Sequence, residues 1–202
     1  MIGIIDYGAG NLNSIQKALE FIGEETVILE EAKVGDLNKY AGLVLPGVGA
    51  FPGAMKRLKE NNFVEFIEKF VATGRPFLGV CLGMQLLFEW GFEDQKTRGL
   101  SLLKGDITKM KTEYKIPHMG WNQLEIVKND SLFKGLPENP HFYFVHSYQL
   151  AEVTDDVLAA VGYGTTIPAV VRKDNVIGFQ FHPEKSGSNG LKLLENFGEL
   201  VK

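Results

Sequence analysis

Cysteine is almost missing from this sequence: of 202 residues only Cys81 carries a thiol. No disulfide can close within such a chain, and a reducing compartment, the cytoplasm, is the expectation. Histidine is scarce as well, with four residues, His118, His141, His146 and His182. His141 and His146 have a zinc-like spacing, but no cysteine pair accompanies them and an offset of five places them on opposite faces of a strand, so no metal is expected. Long hydrophobic runs are lacking too. The longest, Leu78 to Phe88, falls well short of the roughly 20 residues that cross a bilayer. The opening Met1-Ile2-Gly3-Ile4 has no basic stretch of the kind that begins a secretory signal. Positive charge is not in excess: 21 Lys and Arg against 25 Asp and Glu give a net charge of -4, and the basic residues are scattered, which argues against a nucleic-acid partner.

What is present is an ordinary globular composition, 45% apolar and 11% aromatic, and we expect one domain over residues 1–202 without a linker. Ile2 to Asp6 reads as a buried strand, Tyr7 to Asn11 as a loop and Leu12 to Ile22 as a helix. The pattern continues with strands at Thr26 to Leu29 and Leu43 to Leu45, a helix from Phe51 to Thr73, a strand from Phe77 to Val80 and a helix from Leu82 to Trp90. Such alternation predicts an α/β fold: an open, mostly parallel sheet flanked by helices. The second half reads as an antiparallel extension, with short strands at Asp106 to Met110, Gln123 to Val127, Phe142 to Tyr148, Val157 to Gly162 and Val176 to Phe181. A closing helix is expected from Gly190 to Lys202.

Gly79-Val80-Cys81-Leu82-Gly83 is the nucleophile-elbow pattern with cysteine in place of serine, set between a strand and a helix. The sharp turn strains the nucleophile's backbone, and a small residue on either side lets strand and helix approach. A sulfur there meets the free N–H groups of a helix N-terminus, which favour thiolate. A lone cysteine between Val80 and Leu82 is equally well read as a small buried hydrophobe. His182-Pro183-Glu184 places a carboxylate two residues after a histidine, and Pro183 pushes His182 toward an extended backbone in which both side chains share a face. That is the logic of a triad in the order Cys, His, Glu. A surface turn with unrelated polar residues is the plainer alternative. Gly8-Ala9-Gly10 lacks the third glycine of a dinucleotide fingerprint, Asn13 standing in its place, so a tight turn is the better reading and no cofactor is expected. Pro46-Gly47-Val48-Gly49 closes the third strand where a substrate crevice would lie.

Taken together and in order, these segments resemble the class I, triad-type glutamine amidotransferases. Gly79 to Gln85 is similar to that family's nucleophile motif, and Phe179 to Ser186 to its histidine and glutamate motif. Pro46 to Phe51, Pro117 to Asn122 and Phe144 to Tyr148 narrow the likeness to the branch serving histidine biosynthesis, and it runs from Ile2 to the last helix. The resemblance implies a flavodoxin-like sheet and hydrolysis of glutamine, with Cys81 attacking the side-chain amide, His182 moving the proton and Glu184 holding His182. It assigns an oxyanion hole to the N–H groups of Val48 and Leu82. It implies that Gly47, Gln85, Glu93, Ser147 and Tyr148 hold glutamine. The partner implied is a (β/α)8 barrel cyclase in a heterodimer, faced by Trp121, Tyr143 and Lys185; core packing is an alternative use of the two aromatics. A glutaminase of another synthase, for anthranilate or pyridoxal phosphate, and a flavodoxin-like binding module with an inert cysteine are the rival readings. The Pro117 to Asn122 stretch argues against the first.

Overall fold

The computed structural model describes all 202 residues. The chain opens with β1 (Ile2–Ile5), α1 (Leu12–Phe21) and β2 (Thr26–Leu29), followed by β3 (Gly42–Gly47), α2 (Phe51–Glu60), α3 (Phe63–Val71) and β4 (Phe77–Cys81). A single helical turn, α4 (Leu82–Gln85), leads through β5 (Trp90–Gly91), β6 (Thr97–Arg98) and β7 (Asp106–Lys109) to β8 (His118–Gln123) and β9 (Glu125–Ile126). The rest is β10 (His141–His146), β11 (Tyr148–Leu150), β12 (Val157–Gly162), β13 (Thr166–Lys173), β14 (Val176–Phe179) and α5 (Gly187–Val201).

Eight strands form the main sheet in the order β2-β1-β3-β4-β14-β13-β12-β9. The first five run parallel, and β13, β12 and β9 extend the sheet antiparallel. Parallel strands are covered on both faces, so their sequences are apolar throughout. Accordingly, Ile4, Val44, Leu78 and Ile177 pack into one buried cluster and Ile5, Leu43, Leu45 and Phe77 into another, on opposite sides of the sheet. Two smaller sheets, β10-β8 and β11-β7-β5-β6, stand beside it. No helix is long and apolar enough to cross a membrane.

Several expectations need correction. The helix expected from Phe51 to Thr73 is two helices, broken at Asn62, whose φ of 59° is left-handed; asparagine tolerates that region better than most residues. The helix expected from Leu82 to Trp90 stops at Gln85. Residues Leu82 to Phe88 are buried all round, and Leu87 and Phe88 N–H groups bond three residues back, tightening the chain. The strand expected from Phe142 to Tyr148 is split at Ser147 between β10 and β11, which belong to different sheets. β14, grouped by sequence with the antiparallel strands, is parallel to β4, and β13 was not foreseen at all.

Candidate active site

β4 and β14 are adjacent and parallel, with Val80 opposite Phe179, so their carboxyl ends open at the same sheet edge, where α/β proteins hold ligands. Cys81 ends β4 and His182 follows β14 by three residues. Sequence-distant groups thus meet because two neighbouring strands end together. Cys81 has φ 55° and ψ -111°, a conformation that costs a non-glycine residue about 1–3 kcal/mol. The glycines around it are required by contact: a Cβ on Gly83 would sit 1.8 Å from the Leu45 carbonyl oxygen, and one on Gly79 2.6 Å from that of Gly83. The elbow therefore forms as the spacing predicts, although the helix behind it is a single turn.

His182 Nδ1 lies 2.8 Å from Glu184 Oε1, and both side chains are almost fully buried. Pro183 starts a short 3₁₀ turn, Pro183–Lys185, with His182 extended before it at φ -98° and ψ 98°. The His182 N–H is bonded to Tyr143 O at 3.0 Å, fixing the turn against β10. Burial by itself would lower the His182 pKa, because an imidazolium there loses its hydration; the adjacent Cys81 and Glu184 outweigh this and push it up to about 10. His182 Nε2 is buried and makes no hydrogen bond, while Cys81 Sγ is 3.9 Å from the Val145 carbonyl oxygen. Cys81 shares the cleft wall with His182, so its thiol is the candidate partner for Nε2.

Cys81, His182, Val48, Gly49, Leu82, Gln85, Glu93, Ser147 and Tyr148 line one cleft of about 310 Å³, together with Pro117, Val145 and His146. Of the residues assigned to glutamine, only Gly47 is not on its wall; it stands behind, paired with Cys81 in the β3–β4 ladder. The Val48 N–H makes no hydrogen bond, and Gly49 beside it has φ 99°. Glu93 does two things here: it reaches the cleft and accepts the Phe51 N–H at 2.8 Å, closing the free N-terminus of α2. Gln85 spends both amide hydrogens inside the protein, on Tyr148 O at 2.9 Å and Gln180 Oε1 at 3.0 Å, leaving its oxygen.

Trp121 is 56% exposed and meets Tyr143 edge to face, with centroids 6.2 Å apart; Lys185 is exposed on the turn that Tyr143 O holds. Core packing is thus not the use of Trp121. Sequence reasoning did not assign Gly49, Pro117, Val145 and His146 to the site, yet they line the cleft. All four lay within recognised motifs, but nothing in a motif tells which of its members face the cleft.

Comparison with known proteins bears on this arrangement. The imidazole glycerol phosphate synthase subunit HisH of Caldanaerobacter subterraneus subsp. tengcongensis is 50% identical over 203 residues, spanning 100% of this chain and 99% of that protein. The subunit of the same name from Lactococcus lactis subsp. lactis is 51% identical over 201 residues, spanning 99% and 98%. Among solved structures, PurLQS from Thermotoga maritima superimposes with a TM-score of 0.76, covering 100% of this chain and 98% of that chain; at 22% identity the likeness is one of fold. The glutamine amidotransferase class-I family matches residues 3–200. With that match over nearly its whole length, and the cysteine elbow and the histidine–glutamate turn meeting in one cleft, the chain belongs to the class I glutamine amidotransferases.

Proposed function

We propose that residues 1–202 form one glutaminase domain, the ammonia-producing subunit of a cytoplasmic imidazole glycerol phosphate synthase in histidine biosynthesis. The observation that carries this is that Cys81 and His182 line one cleft, with Glu184 bonded to His182 behind it, in a chain half identical to two synthase subunits over its full length. Cys81 attacks the glutamine side-chain amide. His182 takes the thiol proton and returns it to the departing ammonia, and Glu184 stabilises the imidazolium between these steps. Water then hydrolyses the γ-glutamyl thioester, releasing glutamate. Gln85 Oε1, Glu93 and the Ser147–Tyr148 backbone hold the amino acid.

The unbonded Val48 N–H and the left-handed Gly49 beside it support a control step. Rotating the Gly47–Val48 peptide presents either a carbonyl oxygen or the Val48 N–H to the oxyanion, and a carbonyl there repels the developing charge. Losing one oxyanion donor costs about 3 kcal/mol, a hundredfold to a thousandfold in rate. Ammonia protonates in water, so a sealed passage to a cyclase subunit, a (β/α)8 barrel docked on Trp121, Tyr143 and Lys185, completes the assembly as a heterodimer. The partner's ligand activates hydrolysis only by favouring the N–H-inward form. Glutaminase assays on the chain alone, on the complex, and on the complex with cyclase ligand test this: slow, intermediate and fast turnover are expected. Full activity of the isolated chain excludes the control step, and absence of glutamine hydrolysis in every state excludes the function.

A further inference from the structure

Two of the four histidines have no part in the chemistry above. His118 on β8 and His146 at the end of β10 are both buried and stand opposite one another in the β8–β10 ladder. His118 Nδ1 lies 3.1 Å from His146 Nε2, and His146 Nδ1 lies 2.9 Å from the Tyr148 carbonyl oxygen. A carbonyl can only accept, so His146 Nδ1 carries the hydrogen. In a neutral ring Nε2 is then the acceptor, which makes His118 Nδ1 the donor and His118 Nε2 the remaining acceptor. Asn122 Nδ2 supplies that last bond at 3.4 Å while donating its other hydrogen to Gly162 O at 3.0 Å. One choice of tautomers satisfies every group. Both rings stay neutral at pH 7, because burial lowers each pKa to about 4 and no carboxylate opposes it. The His118 ring also stacks on Tyr163 and Phe144, with centroids 4.1 Å and 4.9 Å away.

The pair stands where the chain most needs fixing. Between β10 and β11 the backbone crosses from one sheet to another at Ser147, and the next carbonyl, that of Tyr148, receives both His146 Nδ1 and Gln85 Nε2. From the other end, the inner positions His118 and Asn122 of β8 alternate with Met119 and Trp121, which are 61% and 56% exposed. We propose that His118 and His146 are positioning residues for glutamine: a tautomer-locked pair that ties the Ser147–Tyr148 wall of the cleft to strand β8 and its exposed face. This rests on the glutaminase reading and deepens it. Neither residue touches the reacting atoms, so the pair acts on the fit of glutamine more than on bond making.

The test uses the assembled synthase complex and glutamine. His118→Phe keeps an aromatic ring for stacking but removes the donor, and is expected to raise KM about tenfold with kcat within about threefold, the scale of one buried partner lost. His118→Asn places an amide near the position of Nδ1 and should recover most of that KM. An unchanged KM in His118→Phe, or no recovery in His118→Asn, overturns the proposal. A second measurement needs no variant: ¹⁵N-edited NMR of the folded wild-type protein should show both rings as Nδ1–H tautomers at neutral pH. An Nε2–H tautomer at His146 overturns the pair whatever the kinetics give. Because the spectrum does not depend on turnover, failure of the pair and failure of the glutaminase reading are told apart.

Discussion

His182 and the His118–His146 pair are all buried, yet their proton affinities move in opposite directions. His182 is pushed up to about 10, whereas His118 and His146 fall to about 4. Burial opposes charge in all three. What separates them is company: His182 has the Glu184 carboxylate at 2.8 Å and the Cys81 thiol beside it, while the other two touch only neutral groups. A carboxylate makes one histidine ready to hold a proton through a reaction; its absence makes the others fixed struts. Depth in the protein says little about what a histidine does until its neighbours are known.

The largest expected effect breaks the charged side of this comparison. Cys81→Ala should abolish glutamine hydrolysis, a loss on the order of 10⁴-fold or more, while synthesis from added ammonium salts persists in the complex. Glutaminase activity within about tenfold of wild type would refute the nucleophile assignment. Glu184→Gln is subtler, since it keeps an acceptor for His182 Nδ1 and removes only the charge. It should bring the His182 pKa down toward those of the other two and lower kcat by about 10²- to 10⁴-fold. A wild-type rate in this variant would mean that company does not decide the role.

Stability against pH gives the opposite signs separately. His118 and His146 have folded pKa values below the ordinary 6.5, so the unfolded chain binds protons first, and stability falls as pH drops from 6.5 toward 4. Each contributes a slope of about 1.4 kcal/mol per pH unit in that window, and His118→Phe should remove about one such share in urea titrations between pH 6.5 and 4.5. His182 has a raised folded value, so its contribution is complete below 6.5 and lost as pH climbs toward 10; His182→Phe should flatten the alkaline side alone. The smallest effect separates the two faces of β8. Trp121→Ala should change the stability of the isolated chain by no more than about 0.5 kcal/mol, because the ring is exposed, while weakening partner binding about tenfold or more. Unaltered binding, measured by calorimetry, would move the interface elsewhere.

Local chemistry was legible in the sequence to a useful degree. Glycines spaced about Cys81 announced an elbow because only glycine permits the approach measured at Gly79 and Gly83, and Pro183 announced the extended His182. β13 was not legible, because Pro168 argues against an interior strand. The structure accommodates it at a register shift in the β12–β13 ladder, before pairing with β14 begins at Val170. Nor was the fate of Leu82 to Phe88 legible: a wholly buried run has no amphipathic period to distinguish helix from coil.

What the sequence by itself determined is therefore what short range controls: strand and helix alternation, the strained turn at Cys81, the histidine–carboxylate pair and the family to which they are similar. Only the tertiary structure decided that β14 lies parallel beside β4, which is what brings His182 to Cys81 across about a hundred residues. It also decided that His118 faces His146 and that Glu93 closes α2 at the cleft. The reason is physical. Backbone geometry and turn chemistry are properties of a few neighbouring residues, whereas strand order, ladder register and the company of a buried side chain depend on which distant surfaces exclude water together.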